Sequence, residues 1–315
     1  MEQHTVIESG EMNTVEYTSI QEKVFELLYN GKLAWSVNKE QLYTEDGTIA
    51  PTAFATRRSD NGDVLGIVGG RYAILQNQQL AQEFIQASEG FGLTEIAGTS
   101  VNGGRKVVIR AKIGSIQIGT DTVHRYITVS NTHDGTGQVR LGMYNKVLVC
   151  SNGLMREISS NELAKVKHTT NASEKMNWYI RNIPQVLEAE RQMMENYKLL
   201  SEVKVNQKHI QALIDHVYQV DSSLPTDEIS TRKQNQVKEF DKALTTNGLN
   251  VHGNTLWGAL QAMTFIQSRD MKTGRLSDDK VMTGSGQEKS NLTYELLMKM
   301  IGNPAYELTE ELELA

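Results

Sequence analysis

Apolar and polar positions along this chain change period several times, and the changes divide it. Val24, Leu27 and Leu28 recur at helical spacing behind Ser19, which predicts a short helix to about Tyr29, stopped by Asn30-Gly31. Residues 54–58 and 64–68 are extended runs around Asp60-Asn61-Gly62-Asp63. Asn and Gly tolerate positive φ, so these runs read as a hairpin. From Gln78 the period lengthens. Leu80, Ala81, Phe84, Ile85 and Ala87 share one helical face that ends near Gly90-Phe91-Gly92.

Strict alternation then returns. Val107, Ile109, Ala111 and Ile113 oppose Lys106, Arg110 and Lys112. Ile127 and Val129 alternate with their neighbours across 126–130. Val139, Leu141, Met143, Val147 and Val149 oppose Arg140, Tyr144 and Lys146. Period two predicts an antiparallel sheet with one solvated face. Beyond Gly153 the pattern turns helical. A long amphipathic helix carries Tyr179, Ile183, Val186, Met193, Tyr197 and Leu200, with Glu190 interrupting the stripe and Pro184 marking a kink or a first turn. Further helices fit 207–219, 227–245, 254–268 and 292–301, and the polar stretch 271–289 reads as a loop. The expected fold class is therefore α+β: an antiparallel sheet with a crossing helix (ββα followed by a β-meander) and then a helical C-terminal region. Expected boundaries are a disordered 1–18, an α+β core at 19–156, a helical region at 157–302 and an acidic tail at 303–315.

Composition narrows the setting. The 315 residues carry 32 Lys/Arg and 38 Asp/Glu, a net charge of −6. Residues 1–50 hold 3 basic and 9 acidic side chains, residues 51–156 hold 11 and 7, and residues 157–315 hold 18 and 22. The middle of the chain is thus the part suited to an anionic partner. There is no apolar run of about 18 residues to span a bilayer. The polar, acidic first residues do not resemble a secretory leader, so a cytoplasmic location in a bacterial host is expected, with no membrane partner. The single cysteine, Cys150, excludes an internal disulfide framework and a multi-cysteine zinc site.

Several segments, in order, resemble the phage/plasmid-like protein family catalogued as domain of unknown function 932. They are Trp35-Ser-Val37, Arg58 to Tyr72 (with Gly66, Gly69 and Gly70), Gln76-Asn77, Ala97-Gly98 and Gly103-Gly104-Arg105. Ser130-Asn-Thr-His-Asp-Gly-Thr136, Val149-Cys-Ser-Asn-Gly-Leu154 and the helix Thr255-Leu-Trp-Gly-Ala-Leu-Gln-Ala-Met-Thr264 follow. Gln261 stands where the family usually has Asn, and the family's early Trp-His-Gly segment is absent. The resemblance implies a mobile-element setting and no particular activity. The element order is also similar to that of phage single-strand annealing proteins, which is an analogy of fold alone.

The sharpest functional expectation is a nonenzymatic protein binding single-stranded DNA, of annealing type in recombination or replication. Single strands need cations along phosphates and flat rings under bases. Lys106, Arg110, Lys112, Arg140 and Lys146 supply the cations, Tyr72, Tyr126 and Tyr144 the rings. Arg57, Arg58, Arg71 and Arg105 extend the patch. The bland counterpart is an ordinary solvated sheet face. A homo-oligomer is expected, with the Met193-Met194 helix as a subunit contact or core. Two alternatives stand behind this reading: a mobile-element protein that binds a host or phage protein, and a metal-dependent nuclease around His133-Asp134. The His-Asp pair lacks further ligands at suitable spacing. It reads better as a tight turn, with no metal or other cofactor and no catalytic residue assigned. Cys150 beside His133 or His124 reads better as a small buried hydrophobe than as a nucleophile.

Overall fold

A computed structural model describes residues 4–8, 11–15, 20–147, 153–157, 165–166, 168, 182–221, 223–270, 273–282, 284–303 and 305–306. Cys150, Tyr179 and the acidic tail 307–315 lie outside the described residues. The fold is α+β, with antiparallel sheets followed by helices. The chain divides into two compact units. The first comprises residues 1–111, 129–140 and 165–181; the second comprises 112–128, 141–164 and 182–315.

In the first unit, β1 (His4–Glu8) and β2 (Glu11–Val15) pair as a two-stranded hairpin, Val6 opposite Asn13, inside the stretch whose sequence predicts disorder. Helix α1 (Ile20–Asn30) buries Val24, Leu27 and Leu28, the face its periodicity predicts. Strands β3 (Val37–Tyr43), β4 (Ile49–Arg58) and β5 (Val64–Gly69) form an antiparallel sheet in that order. The expected β4–β5 hairpin turns at Gly62 (φ 76°) with the Asn61 side chain accepting from the Asp63 N–H. Strand β3 carries no alternating apolar signal. It is an edge strand whose pairing to β4 uses the backbone. Helix α2 (Asn77–Gly90) buries Leu80, Ala81, Phe84, Ile85 and Ala87, and α1 lies against both α2 and β6 (Thr94–Val101).

The second sheet runs β10-β9-β8-β7-β6, with β11 also paired to β9. Its further strands are β7 (Lys106–Ile118), β8 (Asp121–Thr132), β9 (Val139–Val147), β10 (Gly153–Glu157) and β11 (Lys165–Val166). Two corrections concern this sheet. The chain does not turn helical at Gly153: β10 and β11 come first, and β6 is an additional strand whose Ala-Gly-Thr-Ser run conceals it. Nor is the sheet solvated along one whole face. Val107, Val108 and Ile109 are consecutive buried residues, as are Ile127 to Asn131 and Leu141 to Asn145. A strand covered on both faces buries neighbours of either parity, so alternation of residue type misstates its exposure.

In the second unit, α3 (Ile183–Glu202) starts with Pro184 in its first turn, where the missing N–H costs nothing. Glu190 interrupts its apolar stripe because it meets Arg125 of β8 at 3.1 Å. Helix α4 (Gln207–Val217) opens on a reciprocal capping box between Asn206 and His209. Helix α5 (Thr231–Ala243) runs into a π-helical turn (Leu244–Leu249) and a last turn (Asn250–His252), ended by Gly253 at φ 92°. Helix α6 (Leu256–Ser268) is buried around its whole circumference from Leu256 to Thr264, as expected for a central helix. The 271–289 loop expectation is corrected too: α7 (Asp278–Met282) and α8 (Gly284–Met300) occupy most of it. Its glycine signals close approach there. A Cβ on Gly286 would stand 2.6 Å from the Gln267 carbonyl oxygen and 2.8 Å from that of Lys280.

Candidate functional site

In the first unit, the motif residues converge on a buried polar hub around His133, which is fully buried. Asn77 donates through Nδ2 to the carbonyls of Leu33 and Trp35, both at 3.2 Å, which fixes the amide and turns Oδ1 toward His133 Nε2 at 2.9 Å. An amide oxygen only accepts, so Nε2 carries the hydrogen and Nδ1 is a bare lone pair. That Nδ1 has no partner among the described residues. The Thr56 hydroxyl donates to the His133 carbonyl at 2.7 Å, and the His133 N–H to the Arg105 carbonyl at 2.8 Å. Trp35 meets the imidazole edge-on at 5.5 Å, Arg58 covers the Trp35 ring at 4.3 Å, and Asn131 donates to the Leu75 carbonyl. Burial, helped by neighbouring His168 and opposed by Asp134, holds His133 down to about 3, so it is neutral at neutral pH.

The same hub explains Gly66. A Cβ there would lie 2.5 Å from the carbonyl oxygen and 2.6 Å from the Cα of Asp134, rigid backbone on both counts. Gly66→Ala is expected to lower stability by about 1–3 kcal/mol, the cost of overpacking, read as a drop in urea midpoint at unchanged slope.

The motifs that carry the resemblance are thus joined in space, from Gln76-Asn77 through Arg105 to His133-Asp134. The family model described as Domain of unknown function (DUF932) matches residues 64–285. The chain belongs to this family. The match starts after Trp35 and Arg58, which complete the hub from upstream, and runs past α6 into α8. No curated protein and no solved structure matches the chain.

For this DUF932 protein the residues expected at a basic-aromatic surface fare differently. Arg57 pairs with Glu40 at 2.9 Å and Arg58 with Asp60 at 2.7 Å, the latter also reaching the Gly103 carbonyl. Arg71 and Arg105 are exposed. Tyr72 turns inward: its ring stacks on His168 at 4.7 Å, its hydroxyl donates to the Thr132 carbonyl, and burial raises its phenol well above the usual range. Lys106, Arg110, Lys112, Arg140 and Lys146 are each half-exposed on β7 and β9. Tyr144, expected on the outer face, is buried at 3% exposure. Of the expected cations, the hub takes in Arg58, over Trp35, and the backbone of Arg105.

Within the second unit two of the expected rings do meet. Tyr126 of β8 and Tyr144 of β9 have ring centroids 5.7 Å apart, and His124, two residues earlier on β8, stands 6.5 Å from Tyr126. His124 is held by Ser115 of β7 through Nδ1 at 2.7 Å. Lys146 lies two residues beyond Tyr144 and therefore shares its face, while its partner across the ladder is Gly153, which has no side chain. Arg125 and Asn145 have the opposite parity and meet α3 at Glu190 and Met193.

His133-Asp134 is a turn: Asp134 Oδ1 accepts from the N–H and hydroxyl of Thr136. No group of three His, Cys, Asp or Glu side chains suited to a metal stands together among the described residues. His209 and His216, seven apart on α4, serve its cap and a carbonyl one turn back.

Sequence reasoning missed a second buried constellation. Asp121, at the start of β8, accepts through Oδ2 from His252 Nδ1 at 2.6 Å and from Trp257 Nε1 at 2.7 Å. All three side chains are buried. The signal was present: an Asp beginning an apolar strand and a Trp in the first turn of an apolar helix both need polar partners. The neighbouring Gly258 allows the contact. Its Cβ would stand 2.3 Å from the Gly253 carbonyl oxygen, and that of Gly248 2.6 Å from the Gly258 carbonyl oxygen. The Leu-Trp-Gly-Ala motif is therefore a packing device in this unit.

Proposed function

We propose that this DUF932 protein binds single-stranded nucleic acid, as an annealing-type factor of DNA recombination or replication, without catalysing bond cleavage. The observation that carries the reading is the ring ladder His124–Tyr126–Tyr144 across adjacent strands, with Lys146 on the same face. Sheet-borne rings under unstacked bases, with cations along the phosphates, are the means by which single strands are held without strong sequence preference. Tyr144 is the buried ring of the pair and Tyr126 its half-exposed neighbour. Half-exposed Lys112 on β7 adds a cation within the same unit. A self-associating protein that coats a strand fits this reading.

Fluorescence anisotropy with labelled single- and double-stranded oligonucleotides tests it. Salt-sensitive binding that prefers the single strand is expected. Tyr126→Ala weakens it roughly 5- to 100-fold, the worth of one stacked base. Lys146→Glu lowers affinity and flattens the salt dependence by about one phosphate contact. Absence of binding by the unaltered protein at low salt removes the proposal and leaves a protein partner as the target to seek by pull-down.

A further inference from the structure

We infer that the cleft between α1 and the start of α2 is a subsite for a single nucleobase. The inference rests on the proposed nucleic-acid reading and adds a second contact point, on the first unit. The cleft holds about 420 Å³ and is lined by Phe25, Leu28, Trp35, Gln21, Ser59 and Gln78 among others. Among the described residues that line it, no side chain is charged. Its volume falls in the range of small-molecule sites.

Three features select a flat, uncharged, polar-edged ring. Phe25 is 66% exposed and Tyr29 69%, and they stack on each other at 6.1 Å with 14° between planes. Phe25 lines the cleft and Tyr29 continues its apolar surface along α1, and a contiguous exposed apolar patch is a mark of an interaction site. The floor is Trp35, whose orientation is locked by Arg58 over its face, His133 at its edge and its own Nε1–H donated to the Lys32 carbonyl. Gln21 and Gln78 are exposed amides at the rim, able to donate and accept along a base edge.

A second copy of this chain would need a broad apolar surface, whereas a ring-sized cleft edged by amides and hydroxyls suits a base.

The test uses the full chain and a short oligothymidylate carrying 5-iododeoxyuridine, irradiated in complex and mapped by mass spectrometry. Crosslinks within residues 20–36 are expected, and Phe25→Ala should weaken the anisotropy-measured affinity roughly 5- to 100-fold. Tyr43→Ala, another exposed ring (60%), should leave it unchanged. Crosslinks confined to β8 and β9, with Phe25→Ala binding normally, overturn the subsite and leave the proposed function standing. No binding by the unaltered protein overturns both. Concentration-dependent dimerisation abolished by Phe25→Ala, with oligonucleotide affinity intact, overturns the base and assigns the cleft to a second copy.

Discussion

Asp121→Ala is expected to lower the unfolding free energy by about 3–5 kcal/mol, because removing one member of a buried polar pair leaves its partners uncompensated. Asp121 accepts from both His252 and Trp257 through one oxygen, at 2.6 and 2.7 Å. With the carboxylate gone, two buried donors lose their acceptor. The loss spreads within the second unit, since Trp257 also packs on Tyr197 at 4.9 Å and Tyr197 on Tyr294 at 5.8 Å. Asp121→Asn keeps one acceptor oxygen and should cost less. Urea unfolding followed by tryptophan fluorescence measures the difference. An Asp121→Ala protein within about 1 kcal/mol of the parent would show that the constellation contributes little net stability.

Acid should destabilise the first unit through His133. Its folded value, about 3, lies below the ordinary 6.5, so the unfolded chain binds the proton more readily. The stabilisation is complete above about pH 6.5 and is lost as pH falls toward the folded value, at up to about 1.4 kcal/mol per pH unit for one such group. Burial lowers His168 as well, and its depression acts in the same direction. Thermal unfolding midpoints should fall steeply below about pH 6.5. In His133→Gln the midpoint at pH 7.5 is lower, because the contact with Asn77 changes, but the slope on acidification is shallower. An identical slope in the two proteins would place the acid sensitivity elsewhere.

Local pattern carried much of the fold. The faces of α1 and α2, the β4–β5 hairpin at Asn61-Gly62 and the strand character of β7 to β9 all follow from spacing over a few residues. Such signals are legible because helix and strand each impose their own period on whatever lies beneath them. The turn role of Asp134-Gly135 was equally local, since an Asx side chain bonds its own neighbours.

Tertiary structure decided the rest. Strand β6 gives no strand signal and the Gly286 turn of α8 is read as a loop from composition, because small residues that admit a neighbouring backbone look like flexible ones. Tyr144 alternates correctly yet is buried, because exposure depends on what covers a face and alternation records only which face it is. The inward turn of Tyr72 and the pairing of Arg58 are likewise set by His168, Thr132, Asp60 and Trp35. Asp121 and His252 stand 131 residues apart in sequence, beyond the reach of any period. The sequence determined the helices and strands whose period is strong, α1, α2, β4, β5 and β7 to β9 among them, and which residues are polar in apolar surroundings. Which of those polar residues meet was settled by packing, since a buried donor or acceptor takes its partner from whatever the fold brings within about 3 Å.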